Sequence, residues 1–201
     1  MITTTLKEIK KHDPCSKGWK KLLGNLNKTK ADDEVLPFSV ILESNGLQDT
    51  LWCARCAPEH IKIFQSYSIC CARQVHHLMK DKRSIKALDV AESYLNEKAS
   101  QEDMYAAAID AAYAVYAANA AYAANAAAAY AANAAADAAA ATYADAADAT
   151  YAADAAAYYV ADCATHAACA VYAAANAFDA YTQDKRLMIQ KQTDKLMELV
   201  K

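Results

Sequence analysis

Beyond Pro58 the chain contains neither glycine nor proline, and residues 104–182 are built largely of alanine. Alanine is the best intrinsic helix former because its methyl group loses no rotamer freedom on folding. A sheet fold needs turn residues between its strands, and the last two-thirds of this chain lacks the strongest of them. These two facts together predict an all-α protein. A single helix over 104–182 would be roughly 120 Å long and would leave its methyl faces in water. Folding back is more economical, because alanine-on-alanine contacts let helix axes approach to the usual 8–10 Å or closer. The expected architecture is a compact multi-helix bundle or a short helical solenoid with closely packed alanine-rich helices. It divides into a mixed helical region over 1–100 and an alanine-rich region with a C-terminal helix over 101–201, joined as one cooperative domain.

Within the first region, short helices are expected near 4–12 and 15–28. Pro37 suits the first turn of a helix that ends at Ser44-Asn45-Gly46. Pro58 suits another first turn, followed by a stripe of Ile61, Phe64, Cys71, Val75 and Leu78. After the charged break Asp81-Lys82-Arg83, Ser84 is the expected N-cap of the next helix. Ser100 with Asp103 three residues on marks a further start, each group able to satisfy a free backbone N–H of the other. In the alanine block the larger residues from Asp148 to Asp179 fall in nine steps over 31 residues, close to the helical repeat. One face therefore carries Tyr, Asn and Asp, and the rest is methyl groups. A final helix over 183–200 is expected, with Ile189, Thr193, Leu196 and Val200 in one stripe.

Charge divides the chain as sharply as composition does. Residues 1–98 hold sixteen Lys/Arg against twelve Asp/Glu, residues 99–182 none against nine, and residues 183–201 five against three. A central polyanion is unsuited to nucleic acid, whose phosphates need Lys or Arg. Recurrent Asp and Asn also argue against a membrane span. Seven cysteines, an odd number, and an N-terminal stretch without an apolar signal core fit reduced thiols in the cytoplasm.

Three segments carry a family resemblance. Asn45-Gly46-Leu47-Gln48-Asp49-Thr50-Leu51 matches an Asn-Gly-Leu-x-Asp-Thr-Leu segment of the Imm5-like immunity proteins of bacteria. Cys71-Ala72-Arg73-Gln74-Val75 matches the second half of their Cys-x-Cys-Ala-x-x-Val helix, with Ile69 where the first Cys would stand. Asp81-Lys82-Arg83 matches their Asp-Lys-Arg-Pro, with Ser84 in place of the proline and Lys86-Ala87-Leu88-Asp89-Val90-Ala91 after it. That family continues into a long alanine-rich tract and a short amphipathic helix, as this chain does, although its tract often carries arginine and this one has none. The resemblance spans about three-quarters of the chain. It implies a protein that neutralises a cognate bacterial toxin by direct contact.

Eleven of the thirteen tyrosines lie between Tyr105 and Tyr181. Tyrosine is a common interface anchor, and beside carboxylates it makes an anionic aromatic surface able to cap a basic active site, with association steered by charge. The expected partner-binding residues are Tyr143, Asp145, Asp148, Tyr151, Asp154, Tyr158 and Asp162. The alternative is that tyrosine fills gaps between alanine helices, in a non-catalytic structural or scaffolding protein. A metal alternative is a zinc site from Cys53, Cys56, Cys70 and His77. A second would use His166 with Cys163, Cys169 and Asp162, although a polar stripe position accounts for His166 more simply. No Ser/His/Asp pattern, phosphate-binding glycine loop or paired-carboxylate cleft stands out. The expectation is no enzymatic activity and no cofactor.

Overall fold

The computed structural model describes residues 1–120, 133–140, 166 and 178–201. Its fold is all-α, with closely packed helices and a small two-stranded antiparallel sheet. In chain order the elements are β1 (Thr3–Thr5), α1 (Leu6–Lys11), α2 (Ser16–Asn25), β2 (Val35–Pro37), α3 (Phe38–Asn45) and α4 (Leu47–Trp52). Tight 3₁₀ turns at Cys53–Cys56 and Pro58–His60 lead into α5 (Ile61–Gln74), and a third, His76–Leu78, follows it. Then come α6 (Lys82–Leu95), α7 (Gln101–Ala120), a helical stretch at 133–140, and α8 (Phe178–Val200).

The strand pair escaped the sequence analysis, which placed a helix from residue 4. Thr3 pairs with Pro37, Thr4 with Leu36 and Thr5 with Val35. Three-residue strands are too short for alternation to show. Thr5 then does double duty, since its hydroxyl accepts from Glu8 N and caps α1.

Helices end here largely without glycine. At the end of α2, Lys28 N donates to Leu23 O at 2.9 Å, with Asn27 at φ 54°. At the end of α6, Lys98 N donates to Ser93 O at 2.8 Å, with Glu97 at φ 59°. Both are six-to-one closures around one left-handed residue, a role usually given to glycine. Gly46 is the exception. It stands at φ 92° and ψ −179°, a conformation open essentially to glycine alone, where α3 stops and α4 starts.

Two helix starts separate the expected from the observed. Ser100 and Asp103 exchange hydrogen bonds as expected: Ser100 N donates to Asp103 Oδ2 at 2.9 Å, and Asp103 N to Ser100 Oγ at 3.1 Å. Ser84, however, does not cap α6. Asp81 does, from extended backbone, its carboxylate accepting from Arg83 N at 2.9 Å. A carboxylate three residues upstream starts the helix earlier and carries Ser84 into the buried first turn.

The buried residues form one contiguous cluster running from Ile2 to Val200. Ile61, Phe64, Cys71 and Val75 of the expected α5 stripe are in it or equally buried, while the side chain of Leu78 lies outside the described residues. Arg73 ties α5 to α6 through Glu92 at 2.8 and 2.9 Å and Asp89 at 2.6 Å. These hydrogen bonds push the Arg73 pKa further up, Glu92 contributing most. The α8 stripe keeps the expected Leu196 and Val200, but its first two members stand one residue before the expected Ile189 and Thr193. Met188, Gln192, Leu196 and Val200 are buried, Thr193 is half-buried and Ile189 is exposed. Strict four-residue steps back from Val200 lead to Met188 rather than Ile189.

In the alanine-rich part, α7 lies along α6. Met104, Ala107, Ala111 and Ala114 are buried, as are Ala87, Leu88 and Ala91 of α6. Ala134, Ala135, Ala138 and Ala139 of the 133–140 stretch are fully buried too. His166 Nδ1 lies 2.6 Å from Asp137 Oδ2. In one continuous helix those residues would stand about 44 Å apart, so the single rod is excluded.

Candidate functional site

Helices α2 and α4 meet at Gly18, where the absence of a side chain leaves space for the Asp49 carboxylate. A Cβ on Gly18 would come within 2.7 Å of Asp49 Oδ2. Glycine inside a helix costs about 1 kcal/mol relative to alanine, and here it makes room for that carboxylate. Asn45 Nδ2 holds the junction, donating to Gly18 O at 2.9 Å and to Asp49 Oδ2 at 2.7 Å. Cys15 caps α2, its Sγ accepting from Gly18 N at 3.3 Å. Thr50 Oγ1 donates to Gly46 O at 2.9 Å, and Leu47 and Leu51 are buried. The Asn45–Leu51 segment thus has a physical account at nearly every position: a clamp, a glycine turn, two core residues, a carboxylate and a hydroxyl that steadies the turn.

Beside this junction lies a partly open pocket of about 260 Å³. Its apolar lining includes Ile9, Leu22, Ile41 and the two indoles Trp19 and Trp52. Asn45, Gln48, Asp49 and Arg55 supply its polar lining. Trp19 and Trp52 are the only tryptophans in the chain, and each has a cation over its ring. Arg55 lies 4.6 Å from the Trp52 ring centre and Lys10 5.6 Å from that of Trp19. Arg55 is further fixed by donating from Nε to Trp52 O at 2.9 Å. The pocket is not legible in the sequence. Its signals were two isolated tryptophans 33 residues apart and a glycine inside a helix, and only tertiary packing relates them.

Cys53 lines this pocket, and Cys56 follows it in the same 3₁₀ turn. Both thiols are buried, and they are hydrogen-bonded to one another. That bond and burial push the Cys53 thiol well above the ordinary range. Burial pushes Cys71 up to about 12. Such thiols stay protonated at neutral pH and behave as small apolar groups. Cys70 is half-buried on α5 and His77 is exposed in the turn after it. Among the described residues no three or more His, Cys, Asp or Glu side chains gather as a metal site. The zinc set Cys53, Cys56, Cys70 and His77 is therefore not brought together. His166 is committed to Asp137, while Cys163, Cys169 and Asp162 lie outside the described residues.

Tyr143, Asp145, Asp148, Tyr151, Asp154, Tyr158 and Asp162 also lie outside the described residues. The part of the alanine block that is described does present tyrosines. Tyr105, Ile109 and Tyr113 lie four residues apart along α7 and are 52%, 38% and 59% exposed. The methyl face of the same helix is buried. Among the described residues no helix is long and apolar enough to cross a membrane. No protein-family model, curated protein or solved structure matches this chain.

Proposed function

We propose that this chain is an immunity-type protein, without chemistry of its own, that neutralises a cognate bacterial toxin by direct contact in the cytoplasm. The observation that supports it most is the division of α7: methyl groups inward, and Tyr105, Ile109 and Tyr113 outward. A helix that presents two tyrosines and an isoleucine to solvent at four-residue spacing offers a ready interface, because large amphipathic side chains dominate binding energy. In this proposal Tyr143, Asp145, Asp148, Tyr151, Asp154, Tyr158 and Asp162 also contact the toxin, and the four aspartates bring negative charge to it. No Lys or Arg interrupts residues 99–182, so the charge suits a basic partner surface and not a phosphate backbone. The matched segments Asn45–Leu51, Cys71–Val75 and Asp81–Arg83 support the same assignment to the Imm5-like immunity family.

The test is calorimetric titration against the product of the neighbouring gene. A one-to-one complex is expected, weakening as salt rises and after Asp145→Lys, Asp148→Lys or Asp154→Lys. Replacing Tyr105 and Tyr113 together by alanine should weaken it at least tenfold, corresponding to about 1.4 kcal/mol. Absence of a complex would remove the proposal. Salt-insensitive binding that survives the charge reversals would remove its acidic-surface part.

A further inference from the structure

We propose that the Trp19–Trp52 pocket is a binding site for one neutral aromatic ring bearing a hydrogen-bond donor, a phenol or an indole. Size sets the first limit. A dry apolar cavity of about 150 Å³ accommodates benzene, and drug-sized ligands occupy roughly 300–1,000 Å³. At about 260 Å³ this pocket suits a substituted single ring or an indole. The walls set the second limit, since two indoles among aliphatic side chains favour a flat aromatic guest by offset or edge-on packing.

Charge sets the third. Arg55 and Lys10 already lie over the two indoles, which disfavours a cationic guest. The carboxylate of Asp49 disfavours an anionic one. A neutral ring remains. Asn45 engages Asp49 through Oδ2, so Oδ1 is the acceptor left for a donor on that ring. Asn45 holds this carboxylate while itself tied to Gly18 O. An ionised acceptor in a fixed position is worth more to a ligand than a mobile one.

The chain's own tryptophans report on the site, because both line it. p-Cresol is titrated into the full-length protein while tryptophan emission is followed, with excitation on the red edge where phenols do not absorb. A saturable change is expected. Toluene, the same ring without the donor, should bind at least ~10-fold more weakly, as loss of a hydrogen bond to a charged acceptor implies. Asp49→Ala should reduce p-cresol to the level of toluene and leave toluene unchanged. Linear, unsaturable quenching would overturn the proposal, as would equal affinity for p-cresol and toluene in the unaltered protein. The second comparison needs no variant to fold. Ligand-observed NMR of p-cresol with the complex described above identifies the source of the ring. Lost p-cresol binding means that the partner supplies it as a side chain, and retained binding means a free aromatic molecule. The pocket and the α7 face lie on different elements, so failure here leaves the proposed complex standing, and the reverse also holds.

Discussion

Ser84 shows how a sequence-level cap can become a buried liability. Its hydroxyl is fully buried at the start of α6 and makes no hydrogen bond. A buried hydroxyl without a partner forfeits its hydration for nothing in return, at a cost of about 1–3 kcal/mol. Ser84→Ala keeps the shape, removes the stranded group and slightly raises helix propensity. The expected outcome is a gain in stability of about 1 kcal/mol in urea unfolding, with the m-value unchanged. A loss of that size would mean that the hydroxyl has a partner, for example an ordered water. Asp81 and Ser84 together also explain what could be read in advance. The break before α6 was legible, but two residues competed to cap it, and the carboxylate with the extended backbone won.

At the scale of elements, the chain must end its helices beyond α3 without glycine, and Glu97 marks the strain. It occupies a left-handed conformation at φ 59°, which costs a non-glycine residue about 1 kcal/mol or more. Glu97→Gly should therefore stabilise by about 0.5–1 kcal/mol, despite the greater freedom of glycine in the unfolded chain. Its ion pair to Lys62, the only one among the described residues, is long at 3.9 Å and exposed, so little is lost with it. Thermal unfolding of the variant checks this, and an unchanged or lower midpoint would contradict it. The next helix start titrates. Hydrogen bonds from the backbone and side chain of Ser100 hold the Asp103 carboxyl below its usual range. A carboxyl lowered in the folded state contributes stability above its unfolded pKa, about 3.9, and loses it as pH falls through the lower folded value. Helical chemical shifts at the start of α7 should weaken as pH falls below about 4, and Asp103→Asn should abolish that titration. The reciprocal pair was readable because all its parts lie within four residues. The strand pair was not, because Thr3–Thr5 gains meaning only beside Val35–Pro37, some thirty residues away.

For the whole molecule, composition carried the fold class, while closure of the core came from contacts between its ends. Ile2 N donates to Val200 O at 3.0 Å, and Phe38 N donates to Ile2 O at 3.0 Å. The first residues, the last residues and α3 are thus laced together, and α8 packs against α3, α4 and α5. Leu196 and Val200 of the α8 stripe were legible, but its first half was not, because Gln192 is buried in place of Thr193, and hydropathy gives no reason to choose glutamine over threonine. Removing residues 187–201 would strip Met188, Leu196 and Val200 from the core. Each contributes about 1.5–3 kcal/mol by burial, a total comparable with the net stability of about 5–15 kcal/mol of a whole domain. The truncated chain should therefore lose its cooperative transition throughout, including the near-ultraviolet signal of Trp19 and Trp52, although both lie in the opposite half of the sequence. If it instead unfolded cooperatively at the original midpoint with that signal intact, residues 1–100 would be a domain stable on its own. The contiguous core would then be two cores in contact, because a single core cannot lose three of its fully or nearly fully buried side chains at one end without loosening the indoles at the other.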